Sequence, residues 1–317
     1  MSMKAVVIDN YGSADELHEA EIVVPKIAED EVLVEVKATS VNPIDVKIRQ
    51  GLRKANFDWQ FPVVLGWDLS GIIVQIGSKV ADFQVGDAVF ARPDTYQDAR
   101  RGTYAEYAAV KEDKLVLKPE NISFEKAAAI PLAGLTAWQV VVDRLKIKAG
   151  EKLLVQAGAG GVGMFAIQIA KYLGAYVTTT TSNKNRQLLL DLGADEVIDY
   201  HKNKITDLLS DYDAVFDTIN AIDEGLAILK TSGRLVTIAG NPSEAQKQGH
   251  PSAEFWRLQA NGKQLAQLGA LVSQDRIKVI IDSTFDLTTE GLRAAHRLSE
   301  SHHARGKIVI VPGNHDD

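Results

Sequence analysis

The tightest constraint on the fold is one short run, Gly158-Ala159-Gly160-Gly161-Val162-Gly163. It satisfies G-x-G-x-x-G, a pattern common enough to mean little alone. Here it follows an apolar strand pattern, "KLLVQA", and opens a helical one, "VGMFAIQIAKYLGA", ahead of a second strand, "AYVTTTT". That order is what a dinucleotide site requires. The glycines permit a tight turn and a close backbone approach, and the helix start offers unpaired N–H groups to a pyrophosphate. The plainer alternative is a strand–helix turn with no ligand.

The end of the second strand bears on which dinucleotide. NAD sites place an Asp or Glu about twenty residues beyond the turn, where it takes the ribose hydroxyls. This chain has Tyr176-Val177-Thr178-Thr179-Thr180-Thr181 followed by Ser182-Asn183-Lys184-Asn185-Arg186. No carboxylate stands there to repel a 2′-phosphate. The hydroxyls of Thr181 and Ser182 and the cations of Lys184 and Arg186 are suited to bind one, so the reading favours NADPH over NADH. The bland alternative is that the two cations only solvate the start of a helix.

The rest of the chain splits into two patterns. Up to about residue 120, short runs such as "EVLVEVKATSVN", "SGIIVQIG" and "DAVFA" alternate with Gly, Pro and Asp, as in a partly open barrel or sandwich. From "SFEKAAAIPLAGLTAWQVVVDRL" onward, helices alternate with compact apolar strands, which predicts a parallel sheet covered on both faces. After residue 265, "IKVIIDSTFDL" and "GKIVIVP" restore strand character.

Composition removes several functions. The 317-residue chain has a formal charge of −7 and no basic cluster, which disfavours nucleic acid. It contains no cysteine, so disulfides, thiolate zinc sites, iron–sulfur clusters and a cysteine nucleophile are excluded. His302-His303 are adjacent, and His18, His201, His250, His296 and His315 are scattered, so a solvated or structural role is expected for them, and no metal site. The start, "MSMKAVVIDN", lacks a signal-peptide core, and Ala127 to Val142 is broken by polar residues and Pro131. A cytoplasmic protein without a membrane partner is the expectation.

Several separated segments carry a resemblance: "SVNPIDVKIRQG" (40–51), "FPVVLGWDLSGIIVQIGSKVADFQVGDAVFA" (61–91), "GTYAEYAAV" (102–110), "AAAIPLAGLTAWQ" (127–139), the glycine turn, "LGADEVIDY" (192–200) and "ARGKIVIV" (304–311). In this order they resemble the medium-chain dehydrogenase/reductase superfamily, in its zinc-independent quinone oxidoreductase branch. The resemblance implies a GroES-like β-barrel catalytic domain at 1–123 and 266–317, with an inserted Rossmann NADP-binding domain at 124–265. It also implies that Thr136 lines the nicotinamide pocket and that Ala239 and Gly240 pass beneath the dinucleotide. It allows a homodimer joined at a Rossmann-sheet edge, for which "GRLVTIAG" (233–240) is a candidate.

Zinc members of the superfamily carry a cysteine where this chain has Asn42 and a Gly-His-Glu where it has Gly66-Trp67-Asp68. Lewis-acid activation of an alcohol is therefore not expected. The metal-free reaction open to NADPH is hydride transfer to an electrophilic carbon, as in a quinone, enone or enal. Charge then develops on the carbonyl oxygen and needs a donor. Lys47 and Asn42, in "VNPIDVK", are the candidates. A lysine at position 47 resembles the enone and alkenal reductases of the branch. Competing roles are a Lys47–Asp45 surface pair and a turn-fixing Asn42 before Pro43. Asp68 is expected to be structural, and Tyr104 is a possible donor or a core residue. A second functional reading is an NADPH-binding redox sensor or scaffold with little turnover.

Overall fold

The structure is a computed structural model that describes residues 1–57, 59–94, 98–250 and 252–313. His315 and the centre of the "RPDTYQDARRGTY" segment lie outside the described residues. The chain divides into two compact units. One comprises Met1–Leu132, Ala260–Ser273 and the chain from Ile281, and the other Ala133–Gln259 with Gln274–Ile280.

Residues 124–132 join the first unit because their backbone is bonded there. Ser70 Oγ donates to the Phe124 carbonyl at 2.6 Å, and Leu132 N donates to Asp68 Oδ1 at 2.7 Å. Gly262 lies so close to the backbone that a Cβ would stand 2.6 Å from the Asp113 carbonyl oxygen, which places the helix Gly262–Ser273 with this unit too. Pro131 has no N–H to continue a helix. The single helical pattern at 123–145 therefore becomes two α-helices, Phe124–Ala128 and Pro131–Trp138, and a π-helical turn, Gln139–Arg144.

In chain order the strands are β1 Ser2–Ile8, β2 His18–Val23, β3 Glu31–Val41, β4 Val63–Val64, β5 Leu69–Ile76, β6 Ala88–Ala91, β7 Tyr107–Lys111, β8 Leu115–Leu117, β9 Lys152–Val155, β10 Tyr176–Thr181, β11 Glu196–Asp199, β12 Tyr212–Asp217, β13 Leu229–Thr237, β14 Ala253–Phe255, β15 Ile281–Asp286 and β16 Lys307–Val311. In the first unit the long β3 organises the larger sheet. One of its edges pairs with β5, while the other is shared between β7 along Glu31–Glu35 and β16 along Thr39–Val41. Its valines Val32, Val34 and Val36 pack with Leu69, Ile73, Val89 and Val110 in one core cluster. Each fully buried Val or Leu there is worth about 1.5–3 kcal/mol relative to exposure.

The second unit is a six-stranded parallel sheet in the order β11-β10-β9-β12-β13-β14. The strand order reverses between β9 and β12, the switch point at which such sheets bind ligands outside the strands' carboxyl ends. The expected sheet edge is corrected. β13, which contains most of "GRLVTIAG", is flanked by β12 and β14, so the edge strand on that side is Ala253–Phe255. A three-residue strand with little apolar alternation is hard to see in a sequence.

Candidate functional site

Parallel pairing brings the strand ends of the second unit together. Gln156–Gly163 follow β9, Ser182–Arg186 follow β10, Tyr200 follows β11, and Ile238–Gly240 follow β13. The turn is held against β10: Gly158 N donates to Thr180 O at 3.0 Å and Ala157 N to Thr180 Oγ1 at 3.0 Å. Ala157 takes φ +52°, a left-handed conformation that costs a non-glycine residue about 1–2 kcal/mol.

The glycines of the turn have different reasons. A Cβ on Gly158 would lie 2.0 Å from Thr179 Oγ1, and one on Gly163 would lie 2.7 Å from the Ala157 carbonyl oxygen. Both are required by internal packing. A Cβ on Gly160 would meet nothing closer than that same carbonyl at 3.5 Å. The fold does not require glycine there, whereas close approach of a phosphate would. Gly160 is also the N-cap of the helix Gly161–Tyr172 and brings no side chain to its N–H groups, so the first turn, with Gly161 and Val162, is open to a ligand.

Three buried side-chain oxygens at this end of the sheet have no hydrogen-bond partner among the described residues: Gln156 Oε1, Asn185 Oδ1 and Asp217 Oδ2. Buried acceptors without donors are costly. A dinucleotide carries ribose hydroxyls and a carboxamide N–H₂ that match them, so these residues fit the cofactor.

At the β10 corner the predicted residues separate. Thr181 is buried and its hydroxyl accepts from Asn185 Nδ2 at 3.3 Å, while Ser182 is half-buried and Lys184 is exposed. The Arg186 guanidinium donates to the Val197 carbonyl, which commits part of it to the backbone of β11. Tyr200 escaped the sequence reading. The Thr181↔Asp199 register sets it beside the same corner, 57% exposed, with its ring against His201. The signal was present in "LGADEVIDY", but only the parallel register shows where its last residue falls. Thr136 is buried on the helix Pro131–Trp138, and Ala239 and Gly240 follow the end of β13.

The first unit gathers a second set of groups around the helix Pro43–Arg49. Asp45 is wholly buried. It accepts from Asn42 N at 2.8 Å and from Gly66 N at 2.9 Å, and burial pushes its carboxyl up to about 7 against those two bonds. Asp68, also wholly buried, accepts from Ser40 Oγ at 2.5 Å, Asn42 Nδ2 at 2.8 Å and Lys307 Nζ at 3.3 Å. Tyr104 is a core residue. Its hydroxyl meets His296 Nε2 at 3.2 Å, and Arg49 Nε donates to His296 Nδ1 at 3.2 Å. With Nδ1 accepting, the proton sits on Nε2, and burial, then Arg49, pushes this imidazole down to about 3.

Lys47 stands apart from this network. It is half-buried, and among the described residues its ammonium has no hydrogen bond or ion pair; the carboxylate of Asp45 is turned to backbone N–H groups instead. Burial first, and the charge of Arg53 second, hold its ammonium below the usual lysine range. Asn42 is 2% exposed, with Nδ2 bonded to Asp68 and Oδ1 accepting from Lys307 Nζ at 2.5 Å.

A glycine turn at the switch point of a 3-2-1-4-5-6 parallel sheet, in one chain with a β-rich unit, is the arrangement of a dinucleotide-binding protein. Family models agree: residues 28–120 match the alcohol dehydrogenase GroES-like domain and residues 192–310 a zinc-binding dehydrogenase domain. The chain is 39% identical to the NADPH-dependent alkenal/one oxidoreductase of Arabidopsis thaliana chloroplasts, over 98% of this chain and 80% of that one. It is 35% identical to the 2-methylene-furan-3-one reductase of Solanum lycopersicum, over 98% and 79%. Among solved structures, the quinone oxidoreductase from Coxiella burnetii superposes with a TM-score of 0.90 at 34% identity, covering 98% of this chain and 99% of that one. The chain belongs to the medium-chain dehydrogenase/reductase superfamily, in its quinone oxidoreductase and alkenal/enone reductase branch.

Proposed function

We propose that the protein is an NADPH-dependent reductase of quinones and of the activated C=C bond of enones and enals, working without a metal. The observation that carries the chemistry is Lys47, a half-buried cation with no partner among the described residues. When bound, NADPH supplies a hydride to the electrophilic carbon. Lys47 donates a charge-assisted hydrogen bond to the substrate's carbonyl oxygen as that oxygen gains charge, and Asn42 adds a neutral donor. A depressed pKa makes the lysine a stronger acid, so it meets the enolate with less cost in proton affinity.

Zinc does not fit the residues present. Asn42 and Trp67 offer neither thiolate nor imidazole, and the ammonium of Lys307 already lies 2.5 Å from Asn42 Oδ1 and 3.3 Å from Asp68 Oδ2. A divalent ion would have to displace that charge.

The cofactor's 2′-phosphate is assigned to Ser182, Lys184 and Tyr200, with Arg186 contributing what its bond to Val197 leaves free. Lys184→Ala is expected to weaken NADPH binding about 10-fold, the worth of one charge-assisted bond, and to leave NADH binding unchanged. Equal losses for the two cofactors would remove Lys184 from the phosphate site.

The main test is NADPH consumption with a panel of enones, enals and 1,4-quinones, with and without prior chelation. Turnover unaffected by the chelator is expected, and Lys47→Met should lower kcat for enones by about 10²-fold with NADPH affinity retained. NADPH binding without turnover across the panel would favour a sensor or scaffold.

A further inference from the structure

The side chain of Asn42 is held between opposite charges. On one side Lys307 Nζ donates to its Oδ1 at 2.5 Å, and on the other its Nδ2 donates to Asp68 Oδ2 at 2.8 Å. An ammonium has only protons to give and an ionised carboxylate only lone pairs, so the two ends of the amide cannot be exchanged. Among the described residues, one Nδ2–H remains uncommitted. Lys307 reaches this point because β16 pairs antiparallel with β3, with Ile308 opposite Val41, and its side chain is 4% exposed. Its other contacts are the Val41 carbonyl at 3.4 Å and Asp68 Oδ2 at 3.3 Å.

A buried ion pair is a poor device for stability alone, because desolvating two charges costs about as much as their attraction returns. What this pair adds is direction. We propose that Lys307 is a positioning residue for the reduction: together with Asp68 it fixes the orientation of the Asn42 amide so that an N–H, and never the oxygen, is presented to the substrate's carbonyl oxygen. The inference rests on the proposed enone and quinone reduction. There a flipped amide would set a lone pair against the developing oxyanion.

The test compares wild type, Lys307→Met, Lys307→Arg and the double variant Asp68→Asn/Lys307→Met, each as the full chain. It measures thermal melting, NADPH affinity and kcat on an enone. Lys307→Met leaves Asp68 as an unpaired buried charge, so both melting temperature and kcat should fall. The double variant removes that charge. The amide that replaces the Asp68 carboxylate must keep its oxygen toward Leu132 N, and so turns an N–H toward Asn42, for which the Asn42 oxygen is the natural partner. Stability should return toward wild type while kcat stays down by about 10²-fold, with NADPH affinity unchanged. Lys307→Arg should recover part of kcat, since it too can only donate. A double variant that regains wild-type kcat with its stability overturns the proposal. One that stays as unstable as the single variant also overturns it, by making Lys307 structural only. Wild-type protein that binds NADPH but reduces no enone would instead sink the functional reading.

Discussion

At the scale of single residues, the first unit sorts its buried acids and bases by what surrounds them. Asp45 is pushed up to about 7 and His296 down to about 3. Between about pH 4 and 6.5 an unfolded chain holds its proton on the histidine, while the folded unit holds it on the aspartate. Their linkages oppose each other. The raised carboxyl makes stability fall as pH rises through this window, the depressed imidazole makes it rise, and the net slope from the pair is near zero. In His296→Gln only the aspartate's share remains, so its stability relative to wild type should increase on acidification from about pH 6.5 to 4, by roughly one proton's worth, ~1.4 kcal/mol per pH unit. Urea unfolding at several pH values reads this directly, and a slope unchanged from wild type would contradict the assignment. Lys47 and Asn42 could be nominated from "VNPIDVK" because the donor chemistry they offer is local. Asp68 could be read as structural from "LGWDLSG", but its partner Lys307, and His296, become legible only when elements far apart in sequence meet; Arg49 and His296 are 247 positions apart.

At the scale of elements, the glycine turn divides into positions where the fold needs glycine and one, Gly160, where it does not. Gly158→Ala drives a methyl into Thr179 Oγ1 and should cost about 1–3 kcal/mol, lowering the melting temperature whether or not cofactor is present. Gly160→Ala has room and an extended backbone, so stability should change by less than about 1 kcal/mol. NADPH affinity should fall sharply in the second variant. Calorimetric titration of both variants separates the cases, and full NADPH affinity in Gly160→Ala would remove the phosphate from that position. The turn, its helix and the threonine strand were visible in the sequence because they are contiguous and strongly patterned. The π-helical turn at Gln139–Arg144 was not. There Gln139 Oε1 accepts from Trp256 Nε1 and Gln259 N, both at 3.1 Å, which no local pattern encodes.

At the scale of the whole molecule, both halves of the architecture were legible from the change of hydrophobic period near residue 120. The unit boundaries were less so, because residues 124–132 and 262–273 are helical yet bond to the β-rich unit. Against the expected insertion at 124–265, residues 124–132 and 260–265 therefore fall with the β-rich unit, and residues 274–280 fall with the parallel-sheet unit. The parallel sheet is built almost wholly from one continuous stretch, whereas β3 finds part of its partner strand in β16, more than 260 positions later. During synthesis the two units therefore mature in a fixed sequence. The nucleotide turn is assembled while Asp68 still lacks its counter-ion, and Lys307 emerges from the ribosome after nearly everything it organises. On the proposed role of Lys307, a nascent chain halted before β16 would still lack the orientation of the Asn42 amide, so competence for reduction would arrive with one of the last strands to be made.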